Sequence, residues 1–233
     1  MNSTGYPLQD GARLLAYVSV ARDTSHLSGR ARAWIDSQTF GPCYEARHLD
    51  PEETMAHDPL LSCIAAYATG IVQRRGDRYH IHTCQARACV EAAVLEEINE
   101  IVSAHNGAIG VYDDSPFGAD FLAARMFAYG LPLASASNGK PARLVNMARY
   151  IASSCPSAPV PLHVASELLG MGHLGTTPTI AELTRNFHAA SFGSLEDEAF
   201  RRLNSTALIH SFLETDGAQP FPQIEIENWS PFN

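Results

Sequence analysis

Apolar residues first gather at Arg13 to Ala21, RLLAYVSVA, a run rich in β-formers that is too short for a helix and suits a buried strand. A long polar connection from Asp36 to Asp58, broken by Gly41-Pro42 and Asp50-Pro51, leads to a second apolar stretch, Leu60 to Arg74, read as a strand despite its alanines. Arg75-Gly76-Asp77-Arg78 supplies a tight turn, and Tyr79 to Gln85 then alternates residue types as a strand with one exposed face does. Two strands joined this way form a hairpin.

From Arg87 to Ala104, Val90, Val94, Leu95, Ile98, Ile101 and Val102 recur at three- and four-residue spacing between glutamates, which predicts an amphipathic helix. Asn106-Gly107 stops it, and Ala108 to Tyr112 reads as a short strand ending in Asp113-Asp114. The intervening helix is long enough for a crossover, so this strand is expected to run parallel to the first. Helices are predicted over 119–129, 142–153, 161–169, 178–187 and 195–214, the last with Ser194 and Asp197 at capping-box spacing. Beyond it, Pro220 and Pro222 prevent continuation, and Ile224-Glu225-Ile226-Glu227 alternates as a half-buried strand does. The expected organisation is one domain over 1–216 and an extended arm over 217–233, packed on its own domain or joined to a second copy by strand addition.

Composition narrows the function classes. With 45% hydrophobic and 18% charged residues the 233-residue chain can bury a substantial core, which excludes disorder. A formal charge of -9 argues against affinity for nucleic acid or lipid through a general basic surface, so any such contact must be local. The five cysteines are an odd count, and Met1 to Asp10 has neither the basic nor the apolar region of a secretion signal. No apolar run approaches the roughly 20 residues of a bilayer crossing. The expectation is a reduced, cytoplasmic protein without a membrane partner.

Three local patterns, in order, carry a family resemblance. Glu91-Ala-Ala-Val-Leu-Glu-Glu-Ile-Asn-Glu-Ile-Val is followed by the stretch from Gly110 to Pro132, GVYDDSPFGADFLAARMFAYGLP, and then by Leu162-His-Val-Ala-Ser-Glu-Leu-Leu-Gly and the helices through Phe187 to Glu214. Together with the element order, these resemble the predicted 3′–5′ exonuclease family related to the proofreading domain of family-B DNA polymerases. The likeness covers roughly Arg13 to Glu214. It implies an α/β, ribonuclease H-like mixed sheet, three antiparallel strands plus a parallel strand or strands, flanked by helices. Such enzymes use two divalent cations held by clustered carboxylates to activate a water and stabilise the departing oxygen.

Each position matched to that chemistry departs from it. The paired acids of the first strand fall on Val18 and Val20, the second-motif aspartate on Gly118, and the last-helix aspartate on Ala207. The residue that would orient the attacking water falls on Leu203 or Arg202. Asp113, Asp114 and Asp120 are the acids near enough in sequence to rebuild a site, although Asp120 also suits a helix N-terminus as mere charge compensation.

Two further patterns suggest ligands. His80, His82 and Cys84 alternate along one strand and would share a face, as zinc ligands do, with Cys89, His48 or His57 as additional candidates by type. Polar residues on an edge strand need no such reason. Gly170-Met-Gly-His-Leu-Gly175 matches the dinucleotide-binding string but follows a helix, where it reads as a helix stop and loop. The resulting expectation is a degenerate exonuclease-like pseudoenzyme without a cofactor, binding single-stranded nucleic acid or a protein. Its alternatives are an active Mg²⁺- or Mn²⁺-dependent exonuclease with a rebuilt acidic site, and a scaffold protein that binds no nucleic acid; a homodimer through the C-terminal arm is a further expectation.

Overall fold

A computed structural model describes residues 6–23, 25, 28–30, 33, 55–56, 58–59, 61–76, 78–113, 120–131, 143–151, 160–169, 178–215 and 224–226. The elements are β1 (Arg13–Ala21), β2 (Ser62–Arg75), β3 (Arg78–Ala88), α1 (Glu91–Ala104), β4 (Ala108–Val111), α2 (Asp120–Ala128), β5 (Arg143–Asn146), α3 (Ala148–Ile151), α4 (Leu162–Leu168), α5 (Ile180–His188), α6 (Gly193–Glu214) and β6 (Ile224–Ile226). Six strands form one mixed sheet in the order β5-β4-β1-β2-β3-β6. As expected from the connections, β2 pairs antiparallel with β3 and β4 lies parallel to β1, and β1 pairs antiparallel with β2, which makes the three antiparallel strands that the resemblance implies. The turn at the β2–β3 hairpin uses Gly76 at φ +68°, a backbone conformation that costs a glycine nothing.

Both faces of this sheet are covered, which is why β1 and the first part of β2 read as unbroken apolar runs instead of alternating. Leu14, Ala16, Val18 and Val20 of β1 pack with Leu195, Ala199, Leu203 and Ala207 of α6, and Leu162 and Leu183 join the same cluster. Leu15 and Tyr17 point the other way, onto Val94, Leu95 and Ile98 of α1 and Phe121, Leu122 and Met126 of α2. The sheet is thus the middle of three layers.

Four sequence expectations need correction. β3 runs on to Ala88 because Arg87 and Ala88 pair with Tyr67 and Ala66, so α1 begins only at Glu91. The helix expected over 142–153 is instead β5 followed by α3; Arg143 to Asn146 takes the free edge of β4 in parallel, and tertiary pairing overrides the helical spacing. Ser194 does not cap α6, which starts at Gly193; its hydroxyl donates to the Ser191 carbonyl and accepts from Asn186. The capping box belongs to α5, where the Glu182 amide donates to Thr179 Oγ1 at 3.2 Å and the Thr179 amide donates to Glu182 Oε2 at 2.8 Å. Lastly, a β-bulge in the β2–β3 ladder breaks the alternation expected for His80, His82 and Cys84.

The tail contributes β6, which pairs parallel with Tyr79 to Ile81 of the same chain. Among the described residues, no helix is long and apolar enough to cross a membrane.

Candidate functional site

The fold brings four of the positions matched to exonuclease chemistry into one place. Val18 and Val20 of β1 and Leu203 and Ala207 of α6 are all fully buried and belong to a single apolar cluster. They share it because β1 turns alternate residues toward α6, and α6 presents every fourth residue back. Gly118 lies outside the described residues. These side chains do not fit divalent cations: they offer no oxygen ligand, and their walls cannot replace an ion's hydration shell. Of the two positions considered for the water-orienting residue, Leu203 points into this core. Arg202 does not; its Nη1 donates to the Tyr17 carbonyl of β1 at 3.4 Å.

That contact marks a polar corner at the end of the parallel strands. The β1–β4 ladder ends at the Leu15–Val111 pair; beyond it, no strand among the described residues pairs with β1 on that side, and Arg202 reaches the Tyr17 carbonyl. The guanidinium is steered by Glu198, one turn earlier on α6 and almost fully buried, whose carboxylate accepts from Arg202 Nε at 3.1 Å and also pairs with Arg201. Just past β4, buried Asp113 is fixed through its backbone: its amide donates to Asn146 Oδ1 at 3.2 Å, and Asn146 Nδ2 donates to its carbonyl at 3.0 Å. Asn146 Oδ1 also accepts from the Ala148 amide at 3.0 Å, so one amide side chain ties the ends of β4, β5 and α3 together. The carboxyl ends of parallel strands, where the strand order reverses between β1 and β4, are where open α/β sheets hold ligands. Of the three acids near enough in sequence to rebuild a site, Asp113 is found there; Asp114 lies outside the described residues, and Asp120 opens α2 with its side chain outside them too.

The most elaborate polar cluster is one that sequence reasoning did not single out. Glu91, at the start of α1, and Arg125, midway along α2, are both almost wholly buried. Arg125 Nε donates to Glu91 Oε1 at 2.8 Å and its Nη2 to Oε2, while Nη1 donates to the Pro59 carbonyl at 2.7 Å. Glu91 further accepts from the Ile64 amide at 2.8 Å and the Tyr129 hydroxyl at 2.9 Å, and Arg22 Nη2 lies 3.6 Å from Oε2. The available signal was Arg125 itself, a cation in the apolar row of Phe121, Leu122 and Met126. Every group is satisfied within the protein, which makes the cluster a clasp joining α1, α2 and the chain on either side of the 24–60 connection.

Among the described residues, His80, His82 and Cys84 do not share one face. His80 and His82 stack with ring centroids 6.0 Å apart, but Cys84 packs against the α6-side cluster with Ile81 and Ala86. The cause is the β-bulge, in which Thr69 to Ile71 of β2 face Gln85 to His82 of β3; the extra residue of β3 inverts the alternation before Cys84. Cys89 is partly buried against the opposite cluster, and His48 and His57 lie outside the described residues, as does the Gly170 to Gly175 string. Burial pushes the Cys63 thiol up to about 12, with a contribution from the nearby Glu91 carboxylate, and burial pushes the Cys84 thiol up to about 11. Neither is a thiolate nucleophile at neutral pH.

The fold and the site define an α/β protein whose mixed sheet is sandwiched between helices, with an apolar centre where β1 meets α6. In comparison with known proteins, the chain matches no protein-family model and no curated protein sequence.

Proposed function

We propose that the chain is a non-catalytic relative of the 3′–5′ exonucleases, with a ribonuclease H-like fold kept as a binding module. The reading rests on one observation: Val18, Val20, Leu203 and Ala207, the positions that would supply or serve the metal ligands, are fully buried in one shared apolar cluster. The sheet supports the fold assignment, since an antiparallel β1–β2–β3 meander with β4 and β5 added parallel on the β1 side, crossed by a last long helix, is the arrangement the family resemblance implies. The partner is recognised through local contacts, because a net charge of -9 gives no general attraction for a polyanion. An active enzyme with a rebuilt site is the reading that buried Asp113 favours, and it lacks a carboxylate on β1 to complete an ion's coordination.

The deciding experiment incubates purified protein with end-labelled single-stranded DNA and RNA in Mg²⁺ or Mn²⁺. No turnover is expected. Digestion that disappears in Asp113→Ala would overturn the proposal in favour of a rebuilt site. Retention of the same oligonucleotides at low salt without turnover identifies the module as a nucleic-acid binder, and its absence leaves a protein partner.

A further inference from the structure

Arg13 opens β1 on the face that Leu15 and Tyr17 turn toward α1. In register it lies between Ile71 of β2 and Ile109 of β4, apolar neighbours on both sides. Its Nη1 donates to Thr69 Oγ1 at 3.5 Å, a long bond to a hydroxyl whose own proton goes to the Leu14 carbonyl at 2.7 Å. Its Nε is buried without an acceptor, and among the described residues no carboxylate pairs with the guanidinium. Arg125, Arg201 and Arg202, also drawn inward by the fold, each meet a glutamate. Arg13 instead has a second base beside it. His105, which follows α1, is held below the ordinary histidine range by burial and then by the Arg13 guanidinium, against the opposing pull of the Ala108 backbone. Both side chains are half-buried, and Asn106 and Gly107 next to them are exposed, so this corner of the sheet is open to solvent.

We propose that Arg13 and His105 form a binding site for a phosphate group. The planar guanidinium presents parallel N–H donors that match two oxygens of a tetrahedral oxyanion, and a protonated imidazole donates to a third. A carboxylate has only two oxygens and would leave one of the two bases unserved. The bound anion offsets the desolvation of a cation that the chain leaves unpaired, and it turns the repulsion between Arg13 and His105 into a shared attraction. In a chain of net charge -9 this is a local basic contact of the kind a phosphate requires. The site lies on the α1 side of the sheet, opposite the face where Val18 and Val20 meet α6, and is independent of that apolar centre.

The His105 ring protons, followed by NMR as pH is varied, read the site. A bound phosphate favours the imidazolium, so the His105 pKa is expected to rise saturably in millimolar phosphate relative to sodium chloride of matched ionic strength, which controls for screening. In Arg13→Gln that rise should be lost. Should this variant fail to fold, Arg13→Lys keeps the charge without the fork and should need several-fold more phosphate; an undiminished response there counts against the site. A 5′-phosphorylated oligothymidylate distinguishes the sources of the group: competition with inorganic phosphate places the end of a nucleic acid in the site, and no competition assigns it to a small phosphate. The same His105 pKa in phosphate and in chloride overturns the proposal. So does a response that survives in Arg13→Gln, which would leave Arg13 as a counter-charge to the C-terminal end of α1 and nothing more.

Discussion

The hydroxyl of Tyr6 lies 2.8 Å from Nδ1 of His210, and this bond pins the segment preceding β1 to the last third of α6. Tyr6 also meets the Tyr150 ring edge-on, with centroids 5.2 Å apart. His210 is fully buried, and its Nε2 has no partner among the described residues. Burial pushes its pKa down to about 4, only partly opposed by the Asp10 carboxylate.

Acid should therefore loosen the fold through this residue. The folded-state pKa lies below the unfolded value of about 6.5, so between those pH values the unfolded chain binds more protons and stability falls as pH falls. The full effect is on the order of 3 kcal/mol. Urea midpoints measured from pH 7.5 to 4 should decline more steeply in the parent than in His210→Phe, which has nothing to protonate. Parallel declines would show that His210 is not buried and neutral.

Removing one partner of the Glu91–Arg125 pair leaves an uncompensated buried charge. Arg125→Met is expected to cost about 3–5 kcal/mol, and the double variant Arg125→Met/Glu91→Leu to recover part of that loss although it removes more polar contacts. Chemical denaturation of the three proteins checks this. A double variant less stable than Arg125→Met would mean that the other bonds to Glu91, from Ile64, Tyr129 and Arg22, outweigh the charge itself.

The hairpin and the parallel β1–β4 pair were legible because Arg75 to Arg78 and the 85–108 crossover admit few connections. β5 was not: Arg143 to Asn146 is four residues long, and only the free edge of β4 makes it a strand. The β-bulge that separates Cys84 from His80 and His82 was equally hidden, since it arises where Gly70 of β2 lets Ile81 come close; a Cβ there would lie 2.5 Å from Ile81 Cγ2. In the candidate site, the lack of acids on β1 was readable directly. The shared burial of Val18, Val20, Leu203 and Ala207 depends on how α6 lies across the sheet, the role of Glu198 depends on Arg202 reaching the distant Tyr17 carbonyl, and that of Asn146 depends on Asp113.

Gly110 of β4 should tolerate no side chain. A Cβ there would lie 2.6 Å from both Leu14 Cδ2 and Leu8 Cδ1 and 3.1 Å from the Met147 sulfur, all in a packed layer. Gly110→Ala is expected to lose about 1–3 kcal/mol by overpacking. Restoration of the loss by the additional change Leu8→Ala would confirm that crowding, not backbone conformation, is the cause.

Reinstalling an acid on β1 tests the apolar centre most directly. Val18 has no accessible surface and packs with the α6 cluster, so the carboxylate of Val18→Asp would be ionised only at the cost of desolvation. Its pKa should rise above the unfolded value of about 3.9, and the folded state then binds the extra proton. Relative to Val18→Asn, which has similar shape and polarity but no charge to gain, stability should be highest below that unfolded value and should fall as pH rises through the raised pKa. Denaturation midpoints of the two variants between pH 4 and 8 report the divergence. Mn²⁺ should leave both midpoints unchanged, because one carboxylate among valine, leucine and alanine does not make a cation site. If Val18→Asp were as stable as the parent at pH 7 and were further stabilised by Mn²⁺, position 18 would be a vacant ligand position in a site otherwise ready for a metal, and the non-catalytic reading would fail.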